Sequence, residues 1–453
     1  MDDLLDIFGQ QPFFTINTQI CFIFGTSEAS SYDSIIDTLT SGLERLYGGF
    51  PWLAYDVTNE GSGPANTGIY KFTKPSKVPG IIVKDLRDVV GSPTMENLRQ
   101  ARYPMGILDE SIFAPCKTFA SGKKPKSAPV FLIQANLISG GLILTFVAQH
   151  NTMDMTGQAH IISLFSKACR GEPFTDEELS SGNAVRHNII PLLDESWTPG
   201  PELEPFILNP ADFPTTNTNT NTEAHPPPTC TWAYVNFTAS SLQQLKWKSL
   251  ESVRPPNYVS TDDALTAFLW KSVTRARSPR LDILSPSTIA RAVNVRKQVG
   301  IPPTYPGSIH VSAYTTLTVQ QLIEKPLGYV ALKLRSAIDP ETSDLEFHAR
   351  AIATFLSRTP DKTRFSATAN FDTSIDMILS SWSNVNVHWL DFNLGLGNPE
   401  AVRRPRFYPV EGLNFLMPKT ADGDVAVALC LRDEDLERLK KDKQFSRYGE
   451  YIG

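Results

Sequence analysis

His150 and Asp154 are the residues whose chemistry and spacing first suggest a functional site. They stand four positions apart in Gln149-His150-Asn151-Thr152-Met153-Asp154. A neutral imidazole with a pKa of about 6.5 can take a proton from an alcohol and return it to a leaving group. The same spacing often arises by chance. In a purely structural interpretation, His150 is a hydrogen-bonded histidine at a strand end and Asp154 a helix cap.

Motifs of other reaction classes do not occur in the chain. It has no G-x-S-x-G nucleophile elbow, no G-x-x-x-x-G-K-[ST] phosphate loop, no H-E-x-x-H pair and no G-x-G-x-x-G between a strand and a helix. The five cysteines are scattered without zinc spacing, and the other six histidines have no partner spacing for a metal. These patterns disfavour serine hydrolases, NTPases, zinc proteases and nucleotide dehydrogenases, and they predict no metal site.

Local patterns predict the elements that position His150. The apolar runs 130–138 and 141–149 flank Ser139-Gly140 and predict a β-hairpin. Apolar residues at helical spacing over 157–170, followed by Gly171, predict a helix. His150 is therefore expected at a strand exit and Asp154 in the turn before a helix, a placement that favours a functional group on a rigid scaffold.

Strand and helix signals occur together in the rest of the chain. Residues 18–25 predict a strand, and Ser31 and Ser260 each predict a helix start, the second within a capping box that includes Asp263. Further strands are predicted at 286–295, 374–387 and 425–432, and further helices at 328–338, 343–357 and 434–443. This mixture predicts an α/β class with mixed sheets.

Length and composition predict two globular domains. The 453 residues are 41% hydrophobic and 20% charged, which suits packed interiors. A polar Thr/Asn tract that runs into three prolines predicts a linker at 211–228. The domains are then residues 1–210 and 229–453.

Charge and hydropathy argue against nucleic-acid and membrane partners. The net charge is -6 and the isoelectric point about 5.7, without a concentrated basic run, which argues against nucleic-acid binding. The N-terminus is acidic where a secretory signal would be basic, and no apolar run is long enough to span a bilayer. We expect a cytoplasmic protein, without a membrane or nucleic-acid partner and monomeric.

Several sequence blocks match a known superfamily in order along the chain. The H-x-x-x-D signature is His150 to Asp154. The other blocks are Ser260-Thr261-Asp262-Asp263-Ala264-Leu265 with Trp270-Lys271, Arg291-Ala292-Val293-Asn294-Val295-Arg296, Tyr305-Pro306-Gly307, Asp391-Phe392-Asn393-Leu394-Gly395-Leu396-Gly397 with Arg403-Arg404-Pro405, and Leu431-Arg432-Asp433-Glu434-Asp435. With these blocks the chain resembles the BAHD superfamily of coenzyme A-dependent acyltransferases, most closely its fungal trichothecene 3-O-acetyltransferases, over nearly its whole length.

Three positions depart from the wider family pattern. Met155 and Thr156 stand between the aspartate and Gly157, as in the fungal branch. Asn393 replaces a glycine, and Asn294 replaces an aspartate. The two asparagines bear on local backbone geometry and leave His150 unaffected.

The resemblance implies a two-domain, chloramphenicol acetyltransferase-like fold with an active-site tunnel between the domains. His150 would be the general base, and Asp154 would point away from the substrate and pair with Arg291. Asp391, Gly395 and Gly397 would be structural. Acetyl-CoA would be a co-substrate, with no permanently bound cofactor. The acceptor would be a small hydrophobic alcohol such as the C3 hydroxyl of a trichothecene, acylated in a ternary complex.

Coenzyme A brings phosphates to an acidic protein, so a local anion site is needed. Ser260 and Thr261 at a helix N-terminus are the best candidates, because free N–H groups and the helix dipole favour anions there; a plain capping box is the alternative. Arg296 and Lys297 are weaker candidates, and Arg403-Arg404 is either an anion site or a structural pair. Oxyanion donors are sought in the backbone after His150 and in the hydroxyls of Ser380 and Ser381.

The sequence is compatible with alternative functions. The acceptor could be another terpenoid or a polyketide alcohol, and the acyl chain could be longer than acetyl. A condensation-type domain shares H-x-x-x-D, but Gln149 stands where that class has a second histidine, and the chain has no carrier domain. A catalytically silent binding protein of the same fold is disfavoured by the intact His150 and Asp154.

Overall fold

The computed structural model describes residues 3–27, 30–120, 126–208 and 228–453. Its strands are β1 (Asn17–Gly25), β2 (Asp56–Glu60), β3 (Ile69–Thr73), β4 (Ile82–Asp85), β5 (Ser127–Pro129), β6 (Phe131–Ile138), β7 (Gly141–Gln149), β8 (Cys230–Phe237), β9 (Pro286–Asn294), β10 (His310–Thr318), β11 (Met377–Ser381), β12 (Ala401–Arg403), β13 (Leu413–Leu416), β14 (Val425–Arg432) and β15 (Gly449–Tyr451).

The helices lie on and between these strands. They are α1 (Tyr32–Gly49), α2 (Met95–Ala101), α3 (Glu110–Phe113), α4 (Met155–Cys169), α5 (Asp176–Gly182), α6 (Ala239–Leu250), α7 (Thr261–Arg277), α8 (Val319–Glu324), α9 (Leu327–Ser336), α10 (Leu345–Arg358), α11 (Asp433–Lys441) and α12 (Lys443–Ser446). Within the described ranges, none of these helices is long and apolar enough to cross a membrane.

A five-stranded sheet carries the strand that ends at His150. Its order is β12-β1-β7-β6-β4, with β6 and β7 forming the predicted antiparallel hairpin around Gly140. All nine residues of β7 are buried, and the apolar side chains on one of its faces share one core with those of α1 and α4. A continuous apolar strand of this kind is typical of a position buried on both faces.

The second large sheet has seven strands. Its order is β10-β9-β11-β13-β14-β8-β15. Strand β11 runs parallel to both β9 and β13, whereas the β9–β10 and β13–β14 pairs are antiparallel. A smaller sheet has the order β3-β2-β5. The predicted α/β class with mixed sheets is confirmed.

The two halves of the sequence share a sheet and a core. Strand β12 comes from the C-terminal half and pairs antiparallel with β1. Phe392, from the Asp391 block, packs edge-on against Phe22 and lies 5.8 Å, ring centroid to ring centroid, from Phe146. The block therefore anchors the C-terminal half to the five-stranded sheet.

Two predicted elements differ from the structure. The predicted strand 374–387 is shorter, because β11 ends at Ser381, where the chain turns and the Val385 N–H donates to the Trp382 carbonyl at 2.9 Å. The predicted helix 434–443 is divided at Asp442, whose side chain caps α12. The predicted linker 211–228 lies outside the described residues except for Pro228, and the division into 1–210 and 229–453 stays a prediction.

Gly157 lies where the first turn of α4 touches the loop before β10. A Cβ atom at this position would stand 1.9 Å from the carbonyl oxygen of Pro306. Gly157→Ala is therefore expected to lower the free energy of unfolding by roughly 1–3 kcal/mol, because packed backbone must move.

The matched control is Gly48→Ala near the end of α1. A Cβ there meets no described atom within 4 Å, and alanine is the better helix former by about 1 kcal/mol. Urea unfolding of both variants measures the difference. Equal stabilities would show that α4 and the Pro306 loop are not in tight contact.

Candidate active site

A cavity of about 760 Å³ holds His150 in its wall. Residues of both large sheets line it. They include Thr18 on β1, Ala290 and Ala292 on β9, and Ser380 on β11. The cavity thus lies between the five-stranded and seven-stranded sheets, where the resemblance places the tunnel.

His150 lies directly after β7, and its backbone is fixed there. Its N–H donates to the carbonyl of Ile16 at 2.8 Å. The turn that follows is closed by Thr152, whose backbone N–H and hydroxyl both donate to the carbonyl of Gln149, at 3.0 and 2.7 Å. The imidazole packs against the ring of Phe14, with centroids 4.9 Å apart. The His150 side chain is therefore displayed from a rigid strand end into the cavity.

A second imidazole stacks on the first. The rings of His150 and His310 have centroids 5.3 Å apart and an interplanar angle of 23°. Burial lowers the pKa of His150, although carbonyl groups of the turn and the Asp154 carboxylate oppose the shift. Burial, with the neighbouring His150, lowers the pKa of His310 to about 4. Both rings are therefore neutral at neutral pH, the form that a general base requires.

The two lowered pKa values predict how activity and stability depend on pH. The acid limb of kcat/KM is expected below pH 6.5, because His150 stays unprotonated to lower pH than a free histidine. A group whose pKa is lower in the folded state stabilises the fold above its unfolded pKa. For His310 this stability is lost as pH falls from about 6.5 towards 4.

The variant His310→Gln isolates this effect. Between pH 7.5 and about pH 5, urea unfolding should show a loss of stability that is larger in the unsubstituted protein by roughly 1–2 kcal/mol. The glutamine keeps a polar side chain but cannot take up the proton. Identical pH dependence in the two proteins would contradict the assignment of a neutral His310 with a lowered pKa.

Asp154 caps α4, and both oxygens of its carboxylate accept hydrogen bonds from protein groups. One oxygen accepts from the Gly157 N–H at 2.8 Å and from Arg296 Nη2 at 3.0 Å. The other accepts from Arg296 Nη1 and from the Ile309 N–H, both at 2.9 Å. Burial opposes ionisation, but the Arg296 ion pair, the nearby His310 and the bond from the Gly157 N–H together lower the pKa of Asp154. This carboxylate is a structural anion that ties the His150 turn to the loop before β10.

The predicted pairing of Asp154 with Arg291 is wrong. Arg291 instead binds Asp262 at 2.9 Å and Asp263 at 3.1 Å. The reason is strand parity, because successive side chains on a strand point to opposite faces. Ala290 and Ala292 face the cavity, so Arg291 between them faces α7.

The prediction that Arg296 contacts coenzyme A is also wrong for the described structure. Its side chain is 2% exposed. Besides Asp154, it donates to the carbonyls of Tyr305 and Gly307 and to the amide oxygen of Asn294. These bonds occupy the guanidinium inside the protein. Asn294, which stands where the family pattern has an aspartate, accepts from Arg296 Nη1 at 3.0 Å.

Ser260 and Thr261 lie at the start of α7, as predicted. The Ser260 hydroxyl accepts from the Asp263 N–H at 3.1 Å. The Asp263 carboxylate accepts from the Ser260 N–H in turn, which completes the capping box. Arg291 and Arg335 both bind Asp263. Ser381, a cavity residue, donates to Asp262, so this helix start adjoins the cavity.

The candidate oxyanion donors differ in whether their hydrogen atoms are already used in other hydrogen bonds. The hydroxyl of Ser381 donates to Asp262. The hydroxyl of Ser380 accepts from Trp382 Nε1 at 3.0 Å, which leaves its own proton available. In the backbone after His150, the Thr152 N–H is already used within the turn. Ser380 is therefore the more available of the two predicted hydroxyls.

The Asp391 block has structural contacts. The Asp391 carboxylate accepts from the Asn393 N–H at 2.8 Å, and its carbonyl accepts from Ser166 and Arg170 on and after α4. Asn393, Gly395 and Gly397 have positive φ angles of 56°, 70° and 71°. Asparagine tolerates this conformation better than most side chains, so the exchange of glycine for Asn393 keeps the turn.

Sequence reasoning missed two cavity residues, His310 and Phe14. His310 is one of the six histidines without metal spacing, and it begins β10 and faces the cavity. Phe14 ends a short 3-10 turn and packs on both imidazoles, with centroids 4.9 and 5.1 Å away. No local spacing could have found either residue, because only the tertiary fold brings them to His150.

Comparisons with known proteins agree with this geometry. A model of the Transferase family matches residues 110–446, and a model of the trichothecene 3-O-acetyltransferase-like N-terminal domain matches residues 16–169. An O-acetyltransferase dmxR13 from Cryptosporiopsis is 48% identical over 100% of this chain and 98% of its own length. The chain belongs to the Transferase family. The predicted resemblance to BAHD acyltransferases is thereby confirmed.

Two further relatives of this transferase cover its full length. A trichothecene 3-O-acetyltransferase from Saccharomyces cerevisiae is 46% identical over 100% of this chain and 96% of its own. The crystal structure of F. sporotrichioides TRI101 complexed with coenzyme A and T-2 has a TM-score of 0.92 at 43% identity, and each chain is covered completely. The predicted fold is confirmed.

Proposed function

We propose that this transferase moves an acetyl group from coenzyme A to a hydroxyl of a small hydrophobic alcohol, with His150 as the general base. The observation that carries the proposal is the His150 imidazole at a rigid strand end, in the wall of a cavity large enough for a small-molecule acceptor. Burial lowers the pKa of this imidazole, which favours its neutral form. The relatives support it, since two proteins named as O-acetyltransferases are 48% and 46% identical over the whole chain.

The acceptor that we propose is a terpenoid alcohol of the trichothecene type, with the C3 hydroxyl as the acetylated group. The TRI101 structure with T-2 supports this class. The cavity supports it as well, because its wall includes several aromatic side chains, among them Phe13, Phe119, Trp382 and Phe407. Such walls suit an apolar ring system and leave His150 as the base beside the reacting hydroxyl.

The chemistry requires one proton carrier and correct alignment. A thioester is already activated, so His150 removes the hydroxyl proton as the alcohol attacks the carbonyl carbon. When the tetrahedral intermediate collapses, the thiolate leaves and takes the proton from the imidazolium. Holding both substrates in one cavity supplies much of the remaining rate enhancement. The reaction then passes through a ternary complex without an acyl-enzyme.

The start of α7 is our proposed contact for coenzyme A. Ser260 and Thr261 lie at a helix N-terminus, where N–H groups favour anions. Arg335 forms an ion pair with Asp263 in the first turn of the same helix. The proximity of Asp262 to cavity residue Ser381 supports a path from this surface to His150. We also propose that the enzyme acts as a monomer in the cytoplasm.

The function is tested by mass spectrometry of reaction products. Acetyl-CoA is incubated with a panel of neutral terpenoid alcohols, each paired with its deoxy analogue, and a longer acyl-CoA tests the donor. We expect acetylated alcohol together with free coenzyme A, and no product from the deoxy analogues. Absence of acetylated product and of coenzyme A release across terpenoid and polyketide alcohols would refute the proposal. A protein that binds an alcohol without affinity for acetyl-CoA would instead be a silent binding protein.

A further inference from the structure

Arg404 is a buried cation in the wall of the His150 cavity. It follows strand β12, and its side chain is 3% exposed. Its guanidinium carbon lies 4.4 Å from the ring centroid of Phe407 and 4.8 Å from that of Phe415. Both rings line the same cavity. The charge of Arg404 acts on His150, since it contributes to the lowered pKa of that imidazole.

The guanidinium has few polar partners. Nη2 donates to the Thr118 hydroxyl at 3.3 Å, and Nε has no hydrogen-bond partner among the described residues. The acid that acts on Arg404 electrostatically is Glu110, but its carboxylate accepts from Gln19 and from the Thr118 N–H instead. Arg404 forms no ion pair within the described part of the chain.

Two other buried arginines of this protein make more polar contacts with protein groups, although the Nε atom of Arg277 also has no hydrogen-bond partner among the described residues. Arg296 binds a carboxylate and two carbonyls. Arg277 donates to the carbonyls of Thr373, Ile375 and Asp376. Arg404 differs because its planar donor set meets aromatic faces and a cavity. Aromatic faces offset only part of the desolvation of a buried charge.

We propose that Arg404 binds a negatively charged oxygen inside the cavity. This inference rests on the proposed function. One source of the charge is the thioester oxygen, which becomes an oxyanion when the alcohol attacks. The other source is an acidic oxygen carried by the acceptor. A fixed guanidinium in a site that excludes water stabilises either oxygen strongly.

The acyl-transfer step balances with this role. The alcohol oxygen forms a bond to the thioester carbon, its proton passes to His150, and the C=O π pair moves to the oxygen that Arg404 binds. When that pair re-forms the C=O bond, the C–S bond breaks, and the sulfur leaves with the electron pair and takes the proton from His150. No further reactant is required.

The test compares Arg404→Gln and Arg404→Lys with Arg403→Gln. Arg403 is a matched control, because it is also buried but donates to the carbonyls of Val402 and Tyr103 and does not line the cavity. With a neutral alcohol, Arg404→Gln is expected to lower kcat by roughly 10²- to 10³-fold with little change in KM, as for loss of an oxyanion donor. Arg404→Lys, which keeps the charge, should retain more activity.

A comparison of acidic and neutral acceptors distinguishes the two sources of the bound oxygen. If the bound oxygen belongs to the acceptor, Arg404→Gln should raise KM for an acidic acceptor and leave a neutral one unchanged, which also supports the proposal. If both Arg404 variants match Arg403→Gln in kcat and KM for both acceptors, the proposal is overturned.

Anion binding gives a readout that does not require turnover. Sodium acetate, compared with sodium chloride at equal ionic strength, should raise the Tm of the unsubstituted protein and of Arg403→Gln, and should not raise that of Arg404→Gln. An equal effect of acetate on all three proteins would overturn the proposal. Absence of acetyl-CoA turnover in the unsubstituted protein would refute the proposed function, and the acetate experiment would still decide the role of Arg404.

Discussion

Replacement of His150 by alanine is expected to lower kcat by roughly 10²- to 10⁴-fold, the range that general acid–base catalysis typically contributes. The imidazole accepts the hydroxyl proton, and the neighbouring His310 cannot substitute, because burial holds its pKa at about 4 and makes it a poor base. The affinity for coenzyme A, measured by calorimetry, should stay within about threefold, since His150 acts in the chemical step.

The control for this variant is His160→Ala. His160 lies on α4, close in sequence to the site, but it does not line the cavity. Its replacement should leave kcat within about threefold of the unsubstituted enzyme. Added imidazole should restore part of the rate of His150→Ala by filling the space left by the side chain. Full activity in His150→Ala would contradict its role as the base.

Replacement of Asp154 by alanine is expected to destabilise the protein by about 3–5 kcal/mol, because it leaves the Arg296 guanidinium buried without its anion. The carboxylate also accepts from the backbone of Gly157 and Ile309, so the turn that carries His150 loses its tie to the loop before β10. Asp154→Asn keeps the size and part of the hydrogen bonding and should cost less. Urea unfolding measures both.

A double variant separates the ion pair from a general packing effect. Asp154→Ala combined with Arg296→Met removes both charges and should recover a large part of the stability lost in Asp154→Ala. An exposed pair provides the contrast. Glu60, bound to Lys71 at 2.7 Å with 63% of its side chain exposed, should lose less than about 1 kcal/mol on replacement by alanine. Equal effects of Asp154→Ala and Glu60→Ala would contradict the structural role of Asp154.

Sequence patterns predicted the parts of the site that depend on local interactions. The hairpin of β6 and β7, the helix α4 that ends before Gly171 and the capping box at Ser260 follow from neighbouring residues alone. The position of His150 at a strand exit followed from the same patterns. These elements are local because turn residues, helix caps and apolar periodicity act over a few residues.

The contacts between distant elements could not be predicted in this way. Arg291 was the predicted partner of Asp154, but its position on β9 turns it towards α7, and Arg296, which follows β9, binds Asp154 instead. His310 reaches His150 because β10 pairs with β9 at the edge of the second sheet. Arg404 reaches the cavity because β12 joins the sheet of the other half. Such arrangements depend on register and sheet order, which the sequence pattern does not encode locally.

The most direct test of the account is an initial-rate grid over acetyl-CoA and a terpenoid alcohol, with intact-protein mass spectrometry of the enzyme during turnover. Transfer in a ternary complex by His150 predicts double-reciprocal lines that intersect, and no acetyl group on the protein. Parallel lines, together with acetylated protein that forms without the alcohol and disappears when the alcohol is added, would contradict it.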